Sequence, residues 1–221
     1  MADYKVVDGQ QLDADLGTVA DAIRERSGTT DPLTFPEGMV AAVRGIQDAT
    51  KKTLYAVLDR SITEFVDDEI TTLGSYAFSG STALTLVSCA NLTSTGNSFT
   101  NCKGLTTIDL PMLKSTGNNC FQSIAATIVD LPQLGFVNAN LFKGAPNLIA
   151  VIFRRDDKVI GMNGLSPFEA TPIASGTGYI YVPKTLNDGT DGVEAYKAAT
   201  NWSAYADQIR AIEDYPEITG G

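Results

Sequence analysis

Phe78, Phe99, Phe121 and Phe142 stand 21, 22 and 21 residues apart, and Phe168 follows after 26. Six residues after Phe78, Phe99 and Phe142 comes a leucine: Leu84, Leu105 and Leu148. Nine residues after them comes Val87, Ile108 or Val151, and eleven after them Cys89, Leu110 or Phe153. The third copy has lost one residue, so Val129, Leu131, Pro132 and Leu134 lie 21 residues after Ile108, Leu110, Pro111 and Leu113. Self-similarity at a period near 20 is the mark of a solenoid. Each unit is too small to bury its own apolar side, so neighbouring units stack and share one core.

The Leu-x-x-Ile-x-Leu part of each unit predicts a short strand, and the strands stack in parallel. Residues between the apolar anchors then point outward in three columns. These are Thr85, Thr106, Thr127 and Ile149; Leu86, Thr107, Ile128 and Ala150; and Ser88, Asp109, Asp130 and Ile152. Pro111 and Pro132 cannot donate to a ladder and end their strands. Asn91, Asn118 and Asn138 fall in turns, where such side chains bond local backbone.

The flanks read differently. Leu12, Leu16, Val19, Ala20 and Ile23 recur at helical spacing over residues 9–27, and Ser27-Gly28 reads as the helix end. Pro36 opens a second helix whose apolar face is Met39, Val40, Val43 and Ile46. Two short helices need another surface to pack on. Residues 1–47 are therefore expected to be an attachment or oligomerisation segment, with Leu12, Leu16, Val19, Ile23, Met39, Val43 and Ile46 as its assembly residues. A polar linker is expected over 48–53, the solenoid over 54–183, with 54–77 as a degenerate first repeat, and a C-terminal cap and tail over 184–221. Phe168 is a candidate anchor for a fifth, distorted unit. Gly178-Tyr-Ile-Tyr-Val-Pro183 predicts a last strand, and 193–212 predicts a helix broken near Thr200-Asn201 that lies over the end of the solenoid. The fold class is α/β: about four to five 21–22-residue units, with a two-helix N-terminal segment and a strand-helix cap.

A net charge of −10, with 16 basic residues spread thinly, argues against nucleic acid, which needs clustered Lys and Arg. No apolar run reaches the roughly 18 residues of a membrane span, and the N-terminus lacks a charged-then-apolar leader. Histidine is absent, which removes the usual general base and the commonest metal ligand. Cys89, Cys102 and Cys120 have no metal-ligand spacing and read as small, buried, reduced core residues, with a disulfide as the alternative.

Ala77-Phe78, Phe99-Thr-Asn-Cys102-Lys-Gly-Leu105, Ile108-Asp-Leu110-Pro111 and Val129-Asp-Leu131-Pro132 resemble the repeat of BspA-type leucine-rich repeat proteins. The alanine before Phe is lost after the first copy, and Cys stands in its usual place once. Ala20-Asp-Ala-Ile-Arg24, Gly28-Thr-Thr-Asp31 and Leu33-Thr-Phe-Pro-Glu-Gly-Met39 are similar to the N-terminal segment of tail-associated structural proteins of phages and prophages of Gram-positive bacteria. Tyr179–Pro183 and Tyr196–Ile209 also occur in such repeat proteins. The resemblance implies a virion component assembled in the host cytoplasm, with no enzymatic activity and no cofactor. Its implied partners are other virion proteins, or the chain itself, through residues 1–47.

Thr85, Ser88, Thr106, Thr107, Asp109, Thr127 and Asp130 are the candidate binding face, since solenoids use exposed ladders for recognition. A host-surface glycan or protein is the expected partner. Threonine also suits strand stacking for its own sake. Asp109 and Asp130, at equivalent positions of adjacent units about 4.8 Å apart, would allow a glycosidase-like carboxylate pair, but repeat duplication accounts for them too. Asn187–Gly192 lacks the ligand alternation of a calcium loop and reads as a solvated turn. Trp202 and Tyr205 read as core rather than as a sugar platform.

Overall fold

The computed structural model describes residues 60–164 and 166–220, and Asp21 ahead of them. The chain divides into two compact units, 1–56 and 57–221. Apart from Asp21, the N-terminal helices lie outside the described residues, as do the linker, the first residues of the degenerate first repeat and all seven assembly residues. The solenoid is described by itself.

Its core is a stack of phenylalanines. The rings of Phe78, Phe99, Phe121, Phe142 and Phe168 lie 5.7, 5.7, 5.8 and 5.6 Å apart in succession, with interplanar angles of 1°, 3°, 12° and 9°. Phe168 therefore anchors a further unit in spite of its longer spacing. Phe65 closes one end of the stack at 4.6 Å from Phe78, and Tyr205 meets Phe168 edge-on at 5.2 Å. Around this stack Leu84, Leu105, Leu148, Val87, Val129, Val151, Leu131, Leu134 and Leu113 are fully buried. In the short third copy Ala126 takes the leucine position, and both it and Ile124 are fully buried.

The period repeats the backbone as well as the side chains. The residue two after each phenylalanine of the stack has a positive φ: Gly80 (74°), Asn101 (60°), Ser123 (58°), Gly144 (70°) and Ala170 (56°). A left-handed residue turns the chain sharply enough for the N–H at the third position to return to the phenylalanine carbonyl, as in Cys102 N to Phe99 O (3.2 Å) and Ala145 N to Phe142 O (3.1 Å). Asn tolerates this region, whereas at Ser123 and Ala170 the Cβ costs on the order of 1–2 kcal/mol. The stacked rings on either side hold the turn in place.

The strands are short and parallel. One sheet has the order β1 (Glu64–Val66), β3 (Leu86–Ser88), β5 (Thr107–Asp109). Another continues with β6 (Ile128–Asp130), β8 (Ala150–Ile152), β10 (Tyr179–Val182) and β11 (Ile209–Ala211). β5 and β6 are not paired. Val129 stands only eight positions after Phe121, against nine in the neighbouring copies, and the N–H of Ala125 already bonds to Leu105 O. A second ladder, not expected from the sequence, runs along another side: β2 (Thr72–Leu73) beside β4 (Ser94–Thr95), Ser94 bridged to Ser115, and β7 (Phe136–Val137) beside β9 (Gly161–Met162). There Gly117 N bonds to Gly96 O, and a Cβ at Gly117 would lie 2.2 Å from Asn97 Oδ1.

Two expectations need correction. Residues 193–212 are not one broken helix. α1 (Gly192–Ala198) is capped by the Asp191 carboxylate, which accepts from Glu194 N; a 3₁₀ helix spans Trp202–Gln208 after left-handed Asn201; and Ile209–Ala211 pairs with β10 as a strand. Ile209 and Ala211 are buried with Arg210 between them, so a period of two governs where spacing alone suggested a helix. The turn asparagines also reach further than local backbone: Asn91 Nδ2 donates to Asp68 O and Asn138 Nδ2 to Thr116 O, each in the preceding repeat. Trp202 is core, 1% exposed, with its indole N–H on Ile160 O.

All three cysteines are buried free thiols. Burial pushes Cys89 and Cys102 up to about 11 and Cys120 up to about 12, from an ordinary 9.0. A raised folded-state value means stability that is intact below pH 9 and lost as pH rises through the folded values. The denaturation midpoint is expected to fall between pH 9 and 11, and the fall should be shallower in a Cys89→Ala, Cys102→Ala, Cys120→Ala variant. Equal slopes in chemical melts at pH 8, 9.5 and 11 would remove the thiols from the account.

Candidate functional site

The three outward columns lie in register. Leu86 stands opposite Thr107 and Ser88 opposite Asp109; Ile128 stands opposite Ala150 and Asp130 opposite Ile152. β1 extends the columns with Glu64 beside Leu86 and Val66 beside Ser88. Thr85, Thr106, Thr107, Asp109 and Thr127 are exposed, and Ser88 and Asp130 are half-buried. The seven candidate residues thus occupy one side of the solenoid, although the unpaired step between β5 and β6 divides them.

Their hydrogen bonds sort them into different roles. Thr85 Oγ1 donates to Thr63 O at 3.0 Å and Thr106 Oγ1 to Thr85 O at 3.2 Å. These hydroxyls reinforce the stacking of one repeat on the last. Ser88 Oγ donates to Asp109 Oδ2 at 2.9 Å. Asp130 Oδ2 accepts from Arg154 Nε at 2.8 Å, in a half-exposed ion pair. Asp109 and Asp130 therefore sit on the facing edges of two separate sheets, and each is engaged by its own partner. The arrangement expected for a shared carboxylate pair is not formed.

The outward columns do not stay open along the whole length. On β8 and β10, Ala150, Ile152 and Tyr181 are 1%, 2% and 4% exposed, because Tyr179, Ile212, Tyr215 and Ile218 pack over them. This covering strap runs through the 3₁₀ turn Ile212–Asp214 and α2 (Pro216–Thr219). Tyr215 meets Tyr181 edge-on at 5.5 Å, Lys184 N and Nζ bond Glu213 and Asp214, and Arg154 Nη2 donates to Thr219 O. Ile128 and Ile149, 38% and 45% exposed, form its margin with the open face. Spacing placed Ile149, Ala150 and Ile152 in the open columns; Ala150 and Ile152 lie beneath the strap.

The turn Asn187–Gly192 uses its polar groups internally. Asp188 accepts from Thr190 N, which holds its carboxyl below the usual range, Asp191 caps α1, and Asn187 Nδ2 bonds Asp156. Among the described residues no group of three or more Cys, Asp or Glu is placed to hold a metal ion, and no helix is long and apolar enough to cross a membrane.

The stacked rings, the buried leucines and the short parallel strands are the ingredients of one repeat family. Six copies of the BspA type leucine rich repeat region match residues 55–168. The chain belongs to the BspA-type leucine-rich repeat family. No curated protein matches the chain. Among solved structures, the crystal structure of a leucine-rich repeat protein from Bacteroides ovatus is similar at 19% identity, with a TM-score of 0.36, over 56% of this chain and 40% of that one. The chain thus spans less than half the length of that protein.

Proposed function

We propose that this leucine-rich repeat protein is a non-enzymatic binding protein whose open columns on β1, β3, β5 and β6 contact a partner. The observation that carries the reading is the contrast along one side of the solenoid. At Ala150, Ile152 and Tyr181 the chain covers the columns with its own strap; Thr85, Thr106, Thr107, Asp109 and Thr127 are left to solvent, together with Val66 and Ile128. A ladder of fixed polar groups on a rigid stack is pre-organised, which lowers the entropy cost of binding. A catalytic reading is disfavoured, since Asp109 and Asp130 are separately engaged and the chain has no histidine.

The finer reading is a tail- or baseplate-associated structural protein of a phage or prophage of Gram-positive bacteria. It rests on the resemblance of the N-terminal segment. Residues 1–47 would join the chain to other virion proteins or to its own copies in a particle assembled in the host cytoplasm, and the repeats would face a host-surface glycan or protein. Several copies on one particle would add weak contacts into firm attachment. The second reading, a bacterial interaction scaffold or surface adhesin, is favoured by the repeat family itself and needs no virion.

Labelled full-length protein is expected to bind whole cells of a Gram-positive host saturably. The double variant Thr106→Arg, Asp109→Arg should lose at least tenfold in affinity while its circular dichroism is unchanged. Antibody labelling of particles separates the two readings, because only the first puts the chain on a virion. Binding that the double variant retains would remove the repeat face from the account.

A further inference from the structure

The fourth repeat carries an insertion. Six residues, Arg154 to Val159, separate Phe153 from Ile160, where two separate Leu110 from Leu113 and Leu131 from Leu134. The inserted loop is fastened at several points. Arg154 bonds Asp130 on β6 and the Thr219 carbonyl of the strap, and Asn187 bonds both the carbonyl and the carboxylate of Asp156. Arg155 is held by Asp157 through Nε at 2.8 Å and through Nη2. With the turn at Pro132 and Gln133 and with Lys114, this loop encloses a cleft of about 680 Å³.

One cationic group in the cleft, Lys114, is unpaired, and a second, Arg155, keeps only its Nη1 edge outside its ion pair with Asp157. Arg155 Nη1 lies over Gly135, 3.1 Å from where a Cβ would stand, so the missing side chain is what lets the guanidinium settle there. Lys114 is joined to Gly135 through its carbonyl, which accepts from Gly135 N at 3.0 Å. Its side chain is exposed and its ammonium enters no ion pair among the described residues. On a chain of net charge −10, a fixed guanidinium edge beside an uncommitted ammonium is a local exception rather than part of a basic surface. Arg and Lys together suit a phosphoryl group, the one by its planar fork and the other as a point charge. The remaining lining is Gln133, Pro132, Arg154, which is paired with Asp130, Asp156 and Asp157. Carboxylates and an amide accept from and donate to hydroxyls, and no aromatic ring is present for a base to stack on.

We propose that this cleft binds the phosphate ester of a polyol or sugar, with Lys114 and Arg155 on the phosphoryl oxygens and Gln133, Asp156 and Asp157 on the hydroxyls. The site adjoins the end of the repeat face at Arg154, which lines the cleft and bonds Asp130.

The test is calorimetric titration of the full chain with glycerol 3-phosphate and, separately, with inorganic phosphate, at low salt. Saturable binding of glycerol 3-phosphate is expected, at least tenfold tighter than inorganic phosphate. Lys114→Ala, which removes an exposed and unpaired side chain, should weaken it tenfold or more, and Lys103→Ala should leave it unchanged. Amide shifts at Gln133, Gly135 and Asp156 should titrate together with the heat. The proposal is overturned by the absence of saturable binding, by equal affinity for the two probes, or by a Lys114→Ala variant that binds as the parent does.

Discussion

Phe121→Ala should lower the stability of the repeat unit by about 3–5 kcal/mol, the usual range for deleting a buried aromatic ring. Phe121 is fully buried, and its ring is stacked on both sides, against Phe99 at 5.7 Å and Phe142 at 5.8 Å. The cavity therefore opens in the middle of the stack, where each neighbour loses a partner and neither ring can slide over without leaving its own. Phe65→Ala, at the end of the stack beside Phe78, should cost less, because one ring contact is lost and the site is already half-exposed. Chemical denaturation of both variants, followed by circular dichroism, gives the comparison. In a solenoid whose repeats contact only their neighbours, a central defect can also separate the two halves into distinct transitions. Equal midpoints for the two variants would mean that the ring stack does not carry the core.

The second large effect is expected from removing the strap. A chain ending at Ala211 exposes Ile152 and Tyr181, each of which contributes on the order of 1.5–3 kcal/mol by burial, and strips Arg154 of the Thr219 carbonyl. Loss of about 3–5 kcal/mol is expected, together with self-association, since contiguous apolar surface beside the open edge of a face invites it. Light scattering and a denaturation curve on the truncated chain measure both. The paired substitutions Ile152→Thr and Tyr181→Thr in the truncated chain should abolish the added self-association without restoring the lost stability. A truncated chain that is fully stable and associates no more than the parent would show that the strap is a passive tail.

Much of the fold can be read in the residues. The phenylalanine spacing placed the ring stack, and the leucine and aliphatic positions six and nine residues on placed the core. The aspartates and threonines between them were placed correctly on the outward columns. Their partners were not legible. Ser88 meets Asp109 across 21 residues, Asp130 meets Arg154 across 24, and Arg154 meets Thr219 across 65. The second ladder was hidden for a different reason: Thr72, Ser94 and Ser115 share a column whose next member is Phe136, so no single residue character runs its whole length. The inserted loop could have been noticed by its length and its paired charges, since Arg154-Arg155-Asp156-Asp157 interrupts an otherwise regular copy.

What the sequence by itself determined is the solenoid. A period near 21 sets which residues fall on the same side of every turn, and that relation holds whatever packs outside it. What only the tertiary structure decided is which parts of that side stay open. The one-residue deletion before Val129 leaves β5 and β6 unpaired, Ile209–Ala211 becomes a strand because β10 offers it an edge, and the last residues fold back over the apolar end of the columns. Each of these depends on free energy gained between segments far apart in the chain, and local periodicity carries no record of it.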